Sequence, residues 1–284
     1  MRFVRLGRNA KDVGRADTTH VAHISARVTR AGAASGAPTG RNSTANSAGE
    51  VDRDVSTVRD DISWIPCYGH LVHTFHMPAK NTAGKVVIVG VTGASGAIYA
   101  QTLLRLLDAD KRVGRVALVI TETGLRLIAT ELGIVAADAK KLPSLLTGTS
   151  AAKIEYLPNK DVGASIASGS AAVDAMVILP CSAGALGSIA AGLADDLLAR
   201  AADVCLKERR QLVLCLRETP LNRIHIENML RVNDAGAVVM PAMPAFYFGP
   251  KTIADAVEQF VFRVLAQIEL PQDAQYHWTG GGKK

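Results

Sequence analysis

The stretch Gly90-Val-Thr-Gly93-Ala94-Ser95-Gly96 joins an apolar run to a helix-like one, and its residue types suit an anion. Glycines let the backbone approach a phosphate closely, and a helix N-terminus offers free N–H groups and a positive dipole. Ser95 adds a hydroxyl. The spacing is G-x-x-G-x-x-G rather than the dinucleotide G-x-G-x-x-G. Glu122, just past the next apolar run, keeps a nicotinamide dinucleotide open as an alternative. A bare turn would not need three glycines together with Thr and Ser.

Four further groups carry chemical potential. Pro180-Cys-Ser182-Ala183-Gly184-Ala185-Leu-Gly187 follows the strongest apolar run, and its small residues leave the Ser182 hydroxyl and backbone amides for a flat ligand. Cys181 has no His or Asp partner in the sequence and reads as a small buried thiol rather than a nucleophile. Ser168-Gly169-Ser170 reads as a linker or a ligand-facing turn. Lys207-Glu-Arg-Arg210 ends a helix, where basic residues complement the dipole. Arg217-Glu218 stands directly after a buried apolar run, either as a structural ion pair or as part of a site. Pro241-Ala-Met-Pro244-Ala-Phe246-Tyr247 is a rigid apolar loop, a packing plug or a pocket wall, and Arg263 is a lone cation on the last helix.

His70-x-x-His73-x-x-His76 near Cys67 has helical metal-ligand spacing, but no carboxylate completes the set, so no metal is expected. His225 reads as a helix-face residue at the edge of a site or a packed histidine.

The elements that hold these groups alternate. Apolar runs at Val86–Val91, Val116–Ile120, Ile154–Leu157, Ala175–Leu179 (ended by Pro180), Leu212–Leu216 and Ala237–Met240 predict strands. Helical spacing covers Ala97–Leu107, Leu125–Leu132, Ile189–Glu208, Ile224–Val232 and Thr252–Ile268. Alternation of this kind predicts a mostly parallel sheet covered on both faces, a three-layer α/β domain of Rossmann-like or flavodoxin-like type. Continuous apolar strands agree with burial on both faces. Ligands in such sheets bind beyond the carboxyl ends of the strands, which selects the loops 90–97, 121–124, 180–187 and 217–223.

The chain has 284 residues and a formal charge of +6, of which residues 1–80 supply +4 through eleven Lys/Arg against seven Asp/Glu. A basic pI therefore does not point to nucleic acid, and no nucleic-acid motif is present. No apolar run approaches the roughly 18–20 residues of a membrane span. Residues 1–80 lack hydrophobic period and are expected to be a disordered extension, or to precede a true start at Met77. Their Arg-rich beginning resembles a transit peptide but has no apolar core for secretion. The cysteines lack paired spacing and suit a reducing compartment, so a cytoplasmic protein is expected. The active domain is expected at 85–270, with 271–284 a C-terminal tail.

Five segments in order, VTGASGAIYA at 91–100, MVILPCSAGAL at 176–186, DDLLARAADVCLKERRQLVLCLRETPL at 195–221, IHIENML at 224–230 and PAMPAFYFGP at 241–250, resemble the UbiX family of flavin prenyltransferases. The resemblance implies a homododecamer that joins a dimethylallyl group from dimethylallyl phosphate to N5 and C6 of reduced FMN. It implies no metal, and a UbiD-type decarboxylase as recipient of the prenylated FMN, with ubiquinone synthesis and aromatic-acid breakdown both open. Carried over by motif, Gly93, Ala94, Ser95, Thr121, Ser182, Ala183, Gly184, Ala185 and Arg217 would hold FMN. Lys207, Tyr247 and Arg263 would bind the donor. Glu218 would be the acid/base group, with Ser95, Lys207 and Glu131 (within IATE) beside it in catalysis. The chemistry agrees: a departing phosphate needs cations, and an allylic cation an electron-rich pocket. Family members usually carry Thr where this chain has Ala185, so a hydroxyl contact to the flavin is expected to be lost. An FMN-dependent cysteine-type decarboxylase of the same fold is the alternative. It typically uses a catalytic His and a PASANT-like loop, whereas this chain has PCSAGA and no His between Gly84 and Met176.

Overall fold

The computed structural model describes residues 84–278 and 280. The expectations for residues 1–80, the Met77 start, Cys67 and the His70, His73, His76 set lie outside the described residues.

Six strands form one parallel sheet: β1 (Lys85–Val91), β2 (Val113–Ile120), β3 (Ile154–Pro158), β4 (Ala175–Cys181), β5 (Gln211–Leu216) and β6 (Val238–Val239), in the order β3-β2-β1-β4-β5-β6. This is the doubly wound Rossmann-like order, in which the chain reverses direction across the sheet between β1 and β4. The seven α-helices among the described residues are α1 (Ala97–Ala109), α2 (Glu122–Leu132), α3 (Leu142–Thr147), α4 (Ala183–Ala190), α5 (Leu197–Lys207), α6 (Arg223–Asp234) and α7 (Ile253–Gln267). One sheet face packs Val87, Val89 and Val177 against α1 and α7 through Leu103, Leu107, Phe260 and Val264. The other packs Ile88, Ile178 and Leu214 against α5 through Leu198, Ala201 and Cys205. Alternate residues of a strand thus serve opposite layers, which is why the central runs are apolar throughout.

Helix starts follow local chemistry. Thr121, Ser182, Asp196, Asn222 and Thr252 each accept a backbone N–H from the first turn of the helix that follows. These caps satisfy donors that have no intrahelical partner. His225 completes a capping box with Asn222, which accounts for it without a ligand.

Three local expectations are corrected. β4 runs through Pro180 to Cys181: the Pro180 carbonyl accepts from Thr92 N and Thr92 Oγ1, and the pairing with β5 is irregular between Ile178 and Cys181, the place in a sheet where a residue without an N–H is tolerated. The helix expected from Ile189 to Glu208 is two: Gly192 turns left-handed at φ 68° and Asp196 caps a fresh start. The Ser168-Gly169-Ser170 turn is not at the ligand end. Arg210 donates to the Gly169 carbonyl, and a Cβ on Gly169 would meet Lys207 Nζ, so the turn sits with the end of α5 at the amino ends of β4 and β5.

Candidate active site

The loops after β1, β2 and β4 surround a polar cleft of about 260 Å³, lined by Thr92, Thr121, Thr123, Ser182, Ser188 and Asp196 among others. Thr92 is buried and joins two loops: its hydroxyl donates to the Pro180 carbonyl at 2.8 Å and accepts from Ser182 N at 2.8 Å. Ser182 Oγ accepts from Ala185 N while capping α4, which leaves its own proton free to donate. Thr121 Oγ1 caps α2 through Gly124 N and lies 3.1 Å from Thr123 Oγ1. Ala183, Gly184 and Ala185 form the first turn of α4, and Ala185 lines the cleft with its methyl group.

The phosphate loop differs in detail from the sequence expectation. Gly96 sits at φ 121°, where a side chain is strained, and gives α1 no cap of its own. The cap comes from a distance: the Glu131 carboxylate accepts from Gly96 N at 3.0 Å and Ala97 N at 2.7 Å. Partial burial pushes the Glu131 carboxyl up. The Ser95 hydroxyl, the two amides and the nearby Arg217 charge outweigh it and hold the group below the ordinary carboxylate range. The two helix amides expected to meet a phosphate are therefore already engaged by an anion of the protein itself. Arg217 Nε donates to the Ser95 carbonyl at 3.0 Å, and Arg217 N donates to the Cys181 carbonyl, so this residue ties together the loops after β1, β4 and β5. Arg217 and Glu218 turn to different partners: Glu218 is exposed and accepts from Thr219 N. An anion approaching this loop would meet residues 93–95 and the remaining guanidinium nitrogens. Gly93 packs so tightly that a Cβ there would lie 2.6 Å from Thr123 Cβ and Oγ1. These features fit FMN: a cleft rich in hydroxyls, a bare glycine beside it, and a fixed cation.

A second cavity, of about 200 Å³, opens between the loop after β6 and α7. Tyr247 and Arg263, predicted separately, both line it, with Met240, Met243, Phe248 and Phe260 supplying apolar surface. Tyr247 meets Tyr276 at 5.3 Å and Trp278 at 5.9 Å between ring centroids, and Phe248 meets Tyr276 at 6.1 Å. Residues 271–278, expected only as a tail, thus carry one ring that lines this cavity, Tyr276, and a second, Trp278, packed on Tyr247. The signal available in the sequence was two aromatic residues in an otherwise polar terminus.

Lys207 is not brought to either cavity. It ends α5 beside Glu208, with which it pairs, and α5 ends where β5 begins, at the opposite pole from Ser95 and Glu218. Cys181 lies beneath the cleft fully buried, and burial pushes its thiol up to about 12, which leaves it protonated and without nucleophilic character. Burial likewise raises the Cys205 and Cys215 thiols. Among the described residues no cluster of His, Cys, Asp and Glu could hold a metal, and no helix is long and apolar enough to cross a membrane.

A parallel doubly wound sheet with a hydroxyl-rich cleft beyond its carboxyl ends is the arrangement of a nucleotide- or flavin-binding protein, and the family model described as Flavoprotein matches residues 76–261. The flavin prenyltransferase UbiX of Methanothermobacter thermautotrophicus is 43% identical over 197 residues, covering 69% of this chain and 96% of that protein. The UbiX enzyme of Pseudomonas aeruginosa is 41% identical over 196 residues, covering 68% and 93%. A crystal structure of AnUbiX in complex with FMN and dimethylallyl pyrophosphate is 36% identical with a TM-score of 0.62, covering 70% of this chain and all of that one. A dodecameric FMN-dependent UbiX-like decarboxylase from Escherichia coli is 39% identical with a TM-score of 0.61, covering 69% and 100%. The chain belongs to the UbiX flavin prenyltransferase family of flavoproteins.

Proposed function

We propose that this protein transfers the dimethylallyl group of dimethylallyl monophosphate, or a close relative, to reduced FMN without a metal ion. The donor C–O bond breaks and phosphate leaves; the allyl C1 bonds to flavin N5, which loses its proton, and a proton added at C2 of the remaining double bond lets C3 bond to flavin C6 as the C6 proton departs, so one proton leaves overall; the prenylated product serves a UbiD-type decarboxylase. The observation that carries the reading is the meeting of Tyr247 and Arg263 in one apolar cavity, at the same end of the sheet as the polar cleft. A cation beside an aromatic, apolar pocket is what a phosphate bearing a short hydrocarbon needs.

In this reading Arg217, Ser182 and the 93–95 backbone hold the flavin. Tyr247 stabilises the allylic cation by its ring face, and Arg263 neutralises the leaving phosphate. Glu218, exposed at the end of β5, takes the ring proton, and the departing phosphate shares that work. Glu131 and Ser95 act beside it by holding the α1 entrance in shape. Lys207 serves the donor phosphate only from a neighbouring copy, since its own site lies at the far pole. That requirement, the dodecameric E. coli relative and the exposed apolar side chains of α6 (Ile224 65%, Ile226 55%, Leu230 60% exposed) together favour a homododecamer.

The test is the mass of flavin extracted after incubation with reduced FMN, dimethylallyl phosphate and a chelator. A gain of one prenyl unit is expected, and an unaltered flavin would overturn the reading. Glu218→Gln is expected to slow transfer far more than it weakens FMN binding; equal losses would remove its assigned role.

A further inference from the structure

We propose that Gln259 is a positioning residue that fixes how long a hydrocarbon the Tyr247–Arg263 cavity admits, by pinning the 274–276 backbone across the rim. The claim rests on the prenyl-donor reading of that cavity.

Gln259 lines the cavity from α7. Its Nε2 donates to the Ala274 carbonyl at 3.0 Å and its Oε1 accepts from Tyr276 N at 2.8 Å. One side-chain amide thereby fills the donor and acceptor roles that a neighbouring strand would fill for this strip of chain. Upstream the strip is held by Arg112, which donates to the Pro271 carbonyl, and by Gln272, which donates to Asp110 Oδ2. Beyond Asp273, among the described residues, the hydrogen bonds that tie the strip to the body of the domain are the two to Gln259. The consequence is geometric. Tyr276 is set 5.3 Å from Tyr247 and 6.1 Å from Phe248, and so becomes a wall of the cavity. That wall is thin, since Tyr247 is 56% and Tyr276 36% exposed. The space so bounded is about 200 Å³ and stays partly open to solvent. An apolar cavity of about 150 Å³ holds a benzene, so a five-carbon chain fits, whereas a ten-carbon chain presses on the Tyr276 wall or leaves its end in water, and either lowers its affinity relative to the shorter chain. An amide that fixes the wall therefore discriminates by length, because displacing Tyr276 breaks both of its bonds.

The test uses the FMN-loaded protein and needs no turnover. Affinities for dimethylallyl phosphate and geranyl phosphate are measured for wild type, Gln259→Leu and Gln259→Glu, with hydrogen exchange at residues 274–278. Wild type is expected to prefer the shorter chain. In Gln259→Leu that preference should shrink about tenfold, the scale of losing one or two modest hydrogen bonds. Exchange at the Tyr276 amide should rise while FMN affinity stays unchanged. Gln259→Glu keeps the acceptor and loses the donor, so it should fall between. Faster exchange with an unaltered preference would reduce Gln259 to a tail anchor and overturn the proposal. So would a wild type that binds both chains equally, or unchanged exchange in Gln259→Leu. A flavin that gains no prenyl mass sinks the functional reading separately, because the affinities are read without transfer.

Discussion

Arg217 does its work through a fork that lysine lacks. Its Nε is spent on the Ser95 carbonyl, which leaves the other nitrogens of a planar group aimed by that bond. Arg217→Lys keeps the charge and loses the aim. FMN affinity is expected to fall about ten- to a hundredfold by equilibrium dialysis, the range for a charge-assisted hydrogen bond, with the fold retained by circular dichroism. The residue was recognisable as important from its place after an apolar run, but its partner was not. β1 and β5 are separated by β4 in the sheet, and no local pattern tells that Ser95 and Arg217 meet. Glu131 shows the same limit from the other side: the family resemblance marked it, while its bonds to Gly96 and Ala97, 34 to 35 residues away, give it a capping role that spacing could not show.

At the level of elements, the loop after β1 and the first turn of α2 are packed to contact. Gly93→Ala would drive a methyl into Thr123, whose atoms lie 2.6 Å from the new carbon. Overpacking of this kind costs about 1–3 kcal/mol, so the melting temperature should drop by several degrees and FMN affinity at least about tenfold. A variant that binds FMN normally would show that the loop yields. Strands and most helices were legible because two buried faces demand continuous apolar runs and one-sided helices. The break between α4 and α5 was hidden because Ala-rich residues on either side keep helical spacing, and a single left-handed glycine with a capping aspartate ends the helix without disturbing that pattern. α3 was too short to show a period, and β6 is shorter than the Ala237–Met240 run that predicts it because its pairing with β5 covers only Val238 and Val239.

Across the whole molecule, the last described segment is fastened to the loop after α1. Asp110 accepts from Arg112 and from Gln272, and these bonds, the Arg112 side chain first, hold its carboxyl down to about 2 against burial, which pushes the other way. A carboxylate whose folded pKa is depressed adds stability above its unfolded pKa, and that stability is lost as pH falls through the folded value. Asp110→Asn should therefore cost about 1 kcal/mol at neutral pH, after allowing for the half-exposed Arg112, and the gap to wild type should close between about pH 4 and pH 2. Denaturant titrations at several pH values check it, and a gap that widens on acidification would reverse the assignment.

Lys207 and Arg263 belong to opposite poles of one subunit, yet the proposed chemistry asks both to attend the same phosphate. A genetic consequence follows. Lys207→Ala and Arg263→Ala proteins should each be inactive alone, and co-expression should restore part of the prenyl transfer. In mixed particles some sites inherit an intact lysine from one allele and an intact arginine from the other. Complementation between two dead alleles, scored by flavin mass, would make the catalytic unit a property of the particle rather than of the polypeptide.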